Sequence, residues 1–84
     1  MIDIWGHTDP QPIKSSGHKD NFDLGFKRAH AVYDYFTKTV FSNSKKRFRL
    51  HSAGEHEPFK GAFPPPKEEY SKCRRVELKL GENL

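Results

Sequence analysis

The stretch from Asn21 to Val40, NFDLGFKRAHAVYDYFTKTV, decides the fold class because its apolar residues follow the period of an α-helix. They recur at steps of three or four residues and comprise Phe22, Phe26, Ala29, Val32 or Tyr33, Phe36 and Val40. Asp20 or Asn21 can cap the helix start, since either side chain can accept a hydrogen bond from a first-turn N–H. Residues 42–44, SNS, are expected to end it. The pattern predicts one amphipathic helix of about five turns.

Three other segments alternate between apolar and polar residues, as β-strands do when one face is buried. Residues 2–5, IDIW, alternate briefly, and residues 47–51, RFRLH, place Phe48 and Leu50 together on one face. Residues 75–80, RVELKL, give the clearest strand. Its alternating apolar residues predict burial of one face and are Val76, Leu78 and Leu80.

The element order is therefore strand, loop, helix, strand, loop, strand, with loops at residues 7–19 and 54–71. This order predicts an α+β fold, in which one long amphipathic helix covers a small mixed sheet of about three strands. One helix on three short strands leaves a second helix-packing site and a sheet edge open, so that a second copy of the chain could pair with the edge. We expect residues 1–84 to form a single domain that is N-terminally incomplete.

Composition favours a small folded module with a mild preference for anionic partners. The 84 residues are 33% hydrophobic and 31% charged, with a net charge of +4. The segment from Lys38 to Gly54 carries five basic residues and no acidic one, so it indicates either an anion-binding surface or a solvated loop. No apolar run reaches membrane-spanning length, and the first residues do not resemble a signal peptide.

Catalysis and metal binding have little support in the sequence. The five histidines do not lie at convincing ligand spacings, and the single cysteine, Cys73, is far from them in sequence. We find no nucleophile beside a base and no glycine-rich phosphate loop, so we expect no enzyme activity and no cofactor. Nucleic-acid binding would need Phe48 as a stacking surface, but the alternation assigns Phe48 to the core.

Four short motifs occur in a fixed order along the chain. They are GHTD at residues 6–9, NFDLGFKRA at 21–29, SAGEHEP at 52–58 and RRVE at 74–77. Together they resemble the OmpA-like peptidoglycan-binding domain found at the C-termini of OmpA and MotB, whose motifs are GHTD, N-x-x-L-S-x-x-R-A, G-x-x-x-P and N-R-R-V-E. The resemblance begins at the second strand of that family, and the family's first strand and helix have no counterpart here.

The resemblance implies a non-catalytic module that binds the stem peptide of peptidoglycan through diaminopimelate. Asp9 would bind the ammonium of this amino acid and Arg28 its carboxylate, since a planar guanidinium can donate two parallel hydrogen bonds. The other residues carried over from the family's site are Thr8, Asn21, Leu24 and Arg74. The family also implies a periplasmic or cell-envelope location and membership in, or association with, a larger envelope protein.

Three departures from the family pattern lie near the expected site. Gly25 replaces the usual serine, Cys73 replaces the usual asparagine, and the loop between Asp9 and Asn21 is longer. They allow an alternative in which the module keeps the fold, has lost ligand binding and serves as a protein–protein assembly surface. A basic nucleic-acid-binding module is a further alternative. Spacing alone would also allow Asp9 and Arg28 to form an internal ion pair without a ligand.

Overall fold

The computed structural model describes residues 1–13, 17–40 and 46–80. The strands are β1 (Ile2–His7), β2 (Phe48–Gly54) and β3 (Val76–Leu80), and the long helix is α1 (Asn21–Lys38). A 3-10 turn (Lys67–Glu69) leads into a short helix, α2 (Tyr70–Cys73). The predicted α+β class is confirmed, while the turn and α2 replace part of a predicted loop. The predicted end of the long helix, residues 42–44, lies outside the described residues.

The three strands form one mixed sheet in the order β2-β1-β3. The central strand β1 runs parallel to β2 and antiparallel to β3, so that Ile4 faces Leu50 on one side and Leu78 on the other. Because β1 and β2 are parallel, the chain must cross over between them, and α1 provides this crossover. The carboxyl ends of β1 and β2 and the start of α1 consequently meet at one end of the sheet.

The core lies between α1 and the two strands that it covers. Ile2 and Ile4 of β1 and Ala29 of α1 form its buried centre. Partly buried side chains surround them, namely Val32, Tyr33, Phe48, Leu50 and Val76. This confirms the assignment of Phe48 and Leu50 to the helix-facing side of the sheet.

The third strand is largely uncovered. Leu78 is 50% exposed and Leu80 is 90% exposed, although their alternation predicted burial. The prediction of burial is wrong for these two residues, because α1 lies over β1 and β2 and makes few contacts with β3. Strand β3 therefore has an exposed apolar face.

Two glycines bring α1 unusually close to the sheet. A Cβ on Gly6 of β1 would lie 1.7 Å from the carbonyl oxygen of Gly25 in α1. A Cβ on Gly25 would lie 2.4 Å from Ser52 Oγ and 2.9 Å from the carbonyl oxygen of Gly6. Glycine is a poor helix former, but this close approach gives its place in α1 a structural reason.

The first turn of α1 is capped as the sequence predicts. The side chain of Asp20 accepts a hydrogen bond from the backbone N–H of Asp23 at 2.8 Å. The long helix then ends at Lys38, before Val40, which is exposed. Within the parts of the chain that the structure describes, no helix is both long and apolar enough to span a bilayer.

Candidate functional site

One end of the sheet carries a cavity of about 350 Å³ to which three separate segments contribute. All six residues predicted for the site line this cavity, and they are Thr8, Asp9, Asn21, Leu24, Arg28 and Arg74. Thr8 and Asp9 directly follow β1, and Arg74 lies between α2 and β3. Asn21, Leu24 and Arg28 lie in the first turns of α1. The structure thus brings the predicted residues together, while binding of a ligand by them stays a prediction.

Asp9 is the acidic group of the cavity, and Arg74 is its ion-pair partner. One carboxylate oxygen of Asp9 accepts from Arg74 Nη1 at 2.6 Å, and the other accepts from the backbone N–H of Gln11 at 2.9 Å. A carboxylate has about four lone-pair positions, so about two remain for another donor. Arg74 and Gln11 hold the carboxylate in a defined orientation without saturating it.

Arg28 is not an ion-pair partner of Asp9. Its Nη1 donates a hydrogen bond to the backbone carbonyl of His7 at 3.0 Å. No carboxylate in the described part of the chain forms a salt bridge with Arg28. The internal Asp9–Arg28 pair that spacing allowed is therefore absent from the structure. A guanidinium has five N–H donors, so most of those of Arg28 remain for a ligand.

The neutral residues of the site connect the loop after β1 to the rest of the fold. Thr8 donates its backbone N–H to the carbonyl of Gly54 at 2.8 Å. Asn21 Nδ2 donates to the carbonyl oxygen of Gln11 at 3.2 Å and to Glu55 Oε1 at 3.5 Å. These bonds attach the loop after Asp9 to the start of α1 and the end of β2, which fixes one wall of the cavity.

Sequence reasoning missed three lining residues, which are Gln11, Pro12 and Ile13. They belong to the loop between Asp9 and Asn21, which is longer than the family pattern and has no periodicity. The extra length of this loop and its position between Asp9 and Asn21 were the signals for it, but they did not identify individual residues. Together with Leu24, Pro12 and Ile13 add an apolar side to a cavity whose charged groups are two arginines and one aspartate.

His7 lies behind the site and is fully buried. Its Nε2 is 2.9 Å from Glu77 Oε1, although neither ring nitrogen has hydrogen-bond geometry. Burial lowers the pKa of His7 from its ordinary value, and the nearby Arg75 guanidinium lowers it further. His7 was assigned to the loop at residues 7–19, but it is the last residue of β1, and its lowered pKa keeps the ring neutral at physiological pH.

The electrostatic character of the cavity suits a group that carries a carboxylate. Its lining charges are those of Asp9, Arg28 and Arg74, which sum to one positive charge. The first turn of α1 contributes the positive end of the helix dipole on the same side. Among residues 1–13, 17–40 and 46–80, no three His, Cys, Asp or Glu side chains cluster as metal ligands would.

A comparison with solved structures identifies the fold that carries this cavity. The structure is similar to a crystal form of the C-terminal domain of Helicobacter pylori MotB (residues 125–256), with a TM-score of 0.79 and 23% sequence identity. No protein-family model and no curated protein sequence matches the chain.

The match to the MotB domain covers 99% of this chain and 60% of that chain. The predicted OmpA-like fold, over part of the length of such a domain, is therefore confirmed.

Proposed function

We propose that this chain is a non-catalytic module that binds the diaminopimelate of the peptidoglycan stem peptide and so anchors a larger envelope protein. One observation carries the proposal. The six residues that the motif resemblance assigns to a ligand come from distant parts of the chain and line one cavity. The corresponding location is the periplasm or another compartment of the cell envelope.

The free end of diaminopimelate carries an ammonium and a carboxylate on one carbon, so its receptor needs an anion and a cation side by side. Asp9 is held by Arg74 and retains acceptor positions for the ammonium. Arg28 retains donors for the carboxylate, because its recorded hydrogen bond uses a single N–H. Arg74 thus acts as the support for Asp9, and Arg28 as the carboxylate-binding group.

The departures from the family pattern support retention of binding. Cys73 is buried and is not among the residues that line the cavity, and Gly25 packs against Gly6 of the sheet. Neither substitution removes a side chain from the cavity wall. The long loop after Asp9 does contribute to the wall, so it is the departure that would change ligand choice.

We expect modest affinity for a single stem peptide. Hydrogen bonds to charged groups contribute about 1.5–3 kcal/mol each, and the ordering of a flexible peptide offsets much of that. The result is a dissociation constant in the micromolar-to-millimolar range. A cell wall presents many identical peptides, so several modules on one assembly would bind it far more tightly.

The test compares two stem peptides by calorimetric titration, one with diaminopimelate and one with lysine at that position. Lysine keeps the ammonium and lacks the second carboxylate, so we expect the diaminopimelate peptide to bind about tenfold tighter or more. Arg28→Gln should weaken the diaminopimelate peptide and leave the lysine peptide unchanged, because only the first has a carboxylate for Arg28. The variant should therefore lose the preference. Equal affinity of the unmodified chain for both peptides would exclude the proposed mode of recognition.

Asp9→Asn and Arg47→Gln complete the series. Asp9→Asn keeps the shape of the side chain and should weaken both peptides, because both carry the ammonium. Arg47 is an exposed arginine outside the cavity, so Arg47→Gln makes the same charge change as Arg28→Gln and should leave both affinities unchanged. Circular dichroism of each variant verifies that the fold is retained.

A protein–protein assembly surface is the second candidate function. The observation that favours it is the exposed apolar face of β3, on which Leu78 and Leu80 are not covered by α1. Binding of partner protein without any measurable affinity for either stem peptide would favour this function over peptidoglycan binding. Nucleic-acid binding loses its proposed stacking residue, since Phe48 packs against the core.

A further inference from the structure

Three aromatic rings form a stack on the protein surface. The ring of His56 stacks on those of Phe22 and Phe63, with centroids 5.1 Å and 5.6 Å apart and interplanar angles of 20° and 23°. Phe22 is 49% exposed and Phe63 is 57% exposed. Phenylalanine gains most by being buried, so a cluster of exposed rings marks a surface with a binding role.

The fold fixes the three rings in place. Phe22 lies in the first turn of α1, and His56 follows the end of β2, where its N–H donates to the carbonyl of Ala53 at 3.0 Å. Pro65, in the same loop as Phe63, is buried and attaches that loop to the body of the protein. Rings that are held in advance lose little conformational entropy when a ligand packs on them.

The stack is continuous with the cavity through Asn21. Asn21 lines the cavity, and its Nδ2 donates to Glu55 Oε1 at 3.5 Å. Phe22 directly follows Asn21 in the chain, and His56 directly follows Glu55. A ligand that fills the cavity and continues past Asn21 therefore meets the aromatic rings next.

The chemistry of the rings suits a sugar. The face of an aromatic ring carries partial negative charge and attracts weakly positive C–H groups. A pyranose ring presents several such C–H groups on one flat face. The stem-peptide residues beside diaminopimelate are alanine and glutamate, which have no flat apolar surface. Within peptidoglycan, the sugars of the glycan strand are thus the groups that match the stack.

We propose that Phe63, supported by His56 and Phe22, binds a sugar ring of the glycan strand. The inference rests on the proposed function, because it places the diaminopimelate of the attached stem peptide in the cavity. Two residues of at most about 3.6 Å each and a lactyl linker separate that diaminopimelate from the sugar, so the two lie roughly 10 Å apart. His56 and Phe63 lie one and two stacking steps from Phe22, which is within this reach. One face of the Phe63 ring packs on His56, and its exposure leaves the other face for the sugar.

Calorimetric titration of the full 84-residue chain with two ligands tests the proposal. Both carry the same diaminopimelate tripeptide, which is free in one and attached to an N-acetylglucosamine–N-acetylmuramic acid disaccharide in the other. We expect the disaccharide ligand to bind about three- to tenfold tighter. Phe63→Leu keeps an apolar side chain without a ring, so it should remove this difference and leave the affinity for the free tripeptide unchanged. Phe63→Tyr keeps the ring and should retain the difference.

Tyr35→Leu is the matched control. Tyr35 is 63% exposed near the other end of α1, so this variant also loses an exposed ring and should bind both ligands as the unmodified chain does. Unchanged affinity for the free tripeptide shows that a variant is folded. Equal affinity of the unmodified chain for the two ligands, or a difference that survives Phe63→Leu, overturns the proposal.

The peptide-free disaccharide separates this proposal from the proposed function. Binding of this disaccharide that is lost in Phe63→Leu, without any binding of the free tripeptide, would contradict diaminopimelate recognition and uphold the sugar site. Binding of the free tripeptide with no contribution from the disaccharide would do the reverse. A chain that binds none of the three ligands overturns both.

Discussion

Asp3 connects two strands on the face of the sheet that α1 does not cover. Its carboxylate accepts from Arg49 Nε at 2.7 Å and Nη2 at 3.1 Å, and contacts His51 Nε2 at 2.8 Å. Trp5 stacks on the His51 ring with centroids 4.2 Å apart. The hydrogen bonds from Arg49 and His51 lower the pKa of Asp3 to about 2. This network joins β1 to β2 through side chains in addition to their backbone bonds.

The lowered pKa of Asp3 predicts a specific loss of stability in acid. Because the folded state holds the proton less tightly than the unfolded state, the stabilisation is complete above about pH 4 and is lost as the pH falls towards 2. Asp3→Asn should flatten the stability profile in this window and lower stability at pH 7. Urea denaturation between pH 2 and pH 7 measures both effects.

Asp34→Asn provides the control for this experiment. Asp34 is half exposed, and its recorded ionic contact is a 3.9 Å approach to His30. Its removal should leave the acid profile close to that of the unmodified chain. The pKa of His7 is also lowered, so stability falls as the pH drops below the ordinary pKa of histidine. This effect is the same in the unmodified chain, Asp3→Asn and Asp34→Asn. An unchanged profile in Asp3→Asn would contradict the assignment.

Single residues of the candidate site were predictable from their motifs, but their pairing was not. The motifs placed Asp9, Arg28 and Arg74 near one another, and charge alone allowed either arginine to pair with Asp9. The choice of Arg74 depends on the path of the chain just before β3, where the short helix α2 went unpredicted. A four-residue helix has too few residues to show a period, so sequence patterns cannot reveal it.

At the scale of elements, the contact between Gly6 and Gly25 determines how closely α1 approaches the sheet. Helix propensity alone predicts that Gly25→Ala stabilises the chain by up to about 1 kcal/mol. A Cβ at this position would lie 2.9 Å from the Gly6 carbonyl oxygen and 2.4 Å from Ser52 Oγ. We expect the clash to exceed the gain, with a net loss of about 1–2 kcal/mol in the free energy of unfolding.

The double variant Gly25→Ala/Ser52→Ala tests the cause of this loss. It removes the nearer of the two clashing atoms and leaves the backbone contact, so it should recover part of the stability lost in Gly25→Ala. Chemical denaturation of both variants provides the comparison. A more stable Gly25→Ala would mean that α1 shifts away from β1 without cost, contrary to the close packing described.

The elements themselves were largely predictable, because α1 and the strands follow clear periods. Alternation identified which residues of β3 share a face, and the helix-facing side chains are indeed Val76, Leu78 and Leu80. It could not identify what covers that face. Whether β3 is covered depends on the lateral position of α1 over β1 and β2. The contacts of Ala29 and Gly25 set that position, so the sequence of β3 does not reveal it.

At the scale of the whole molecule, ligand binding should appear as thermal stabilisation. A ligand that binds only the folded chain at ten times its dissociation constant adds about 1.4 kcal/mol. For a domain of this size, that raises Tm by roughly 5–10 °C. Differential scanning fluorimetry with the diaminopimelate peptide should show this shift, and Arg28→Gln should abolish most of it. An equal shift with the lysine peptide would count against the proposed selectivity.

The central position of β1 has a mechanical consequence. Its first residues lie at the far end of the sheet from Asp9, beside Phe48 and Leu80. Suppose that the cavity binds peptidoglycan and that a pulling force is applied through a polypeptide joined to Met1. The tension then runs along the axis of β1. All the bonds that β1 makes with both neighbours then resist together in shear, since they lie across the strand. A tether built this way has no strand that can be peeled off one bond at a time.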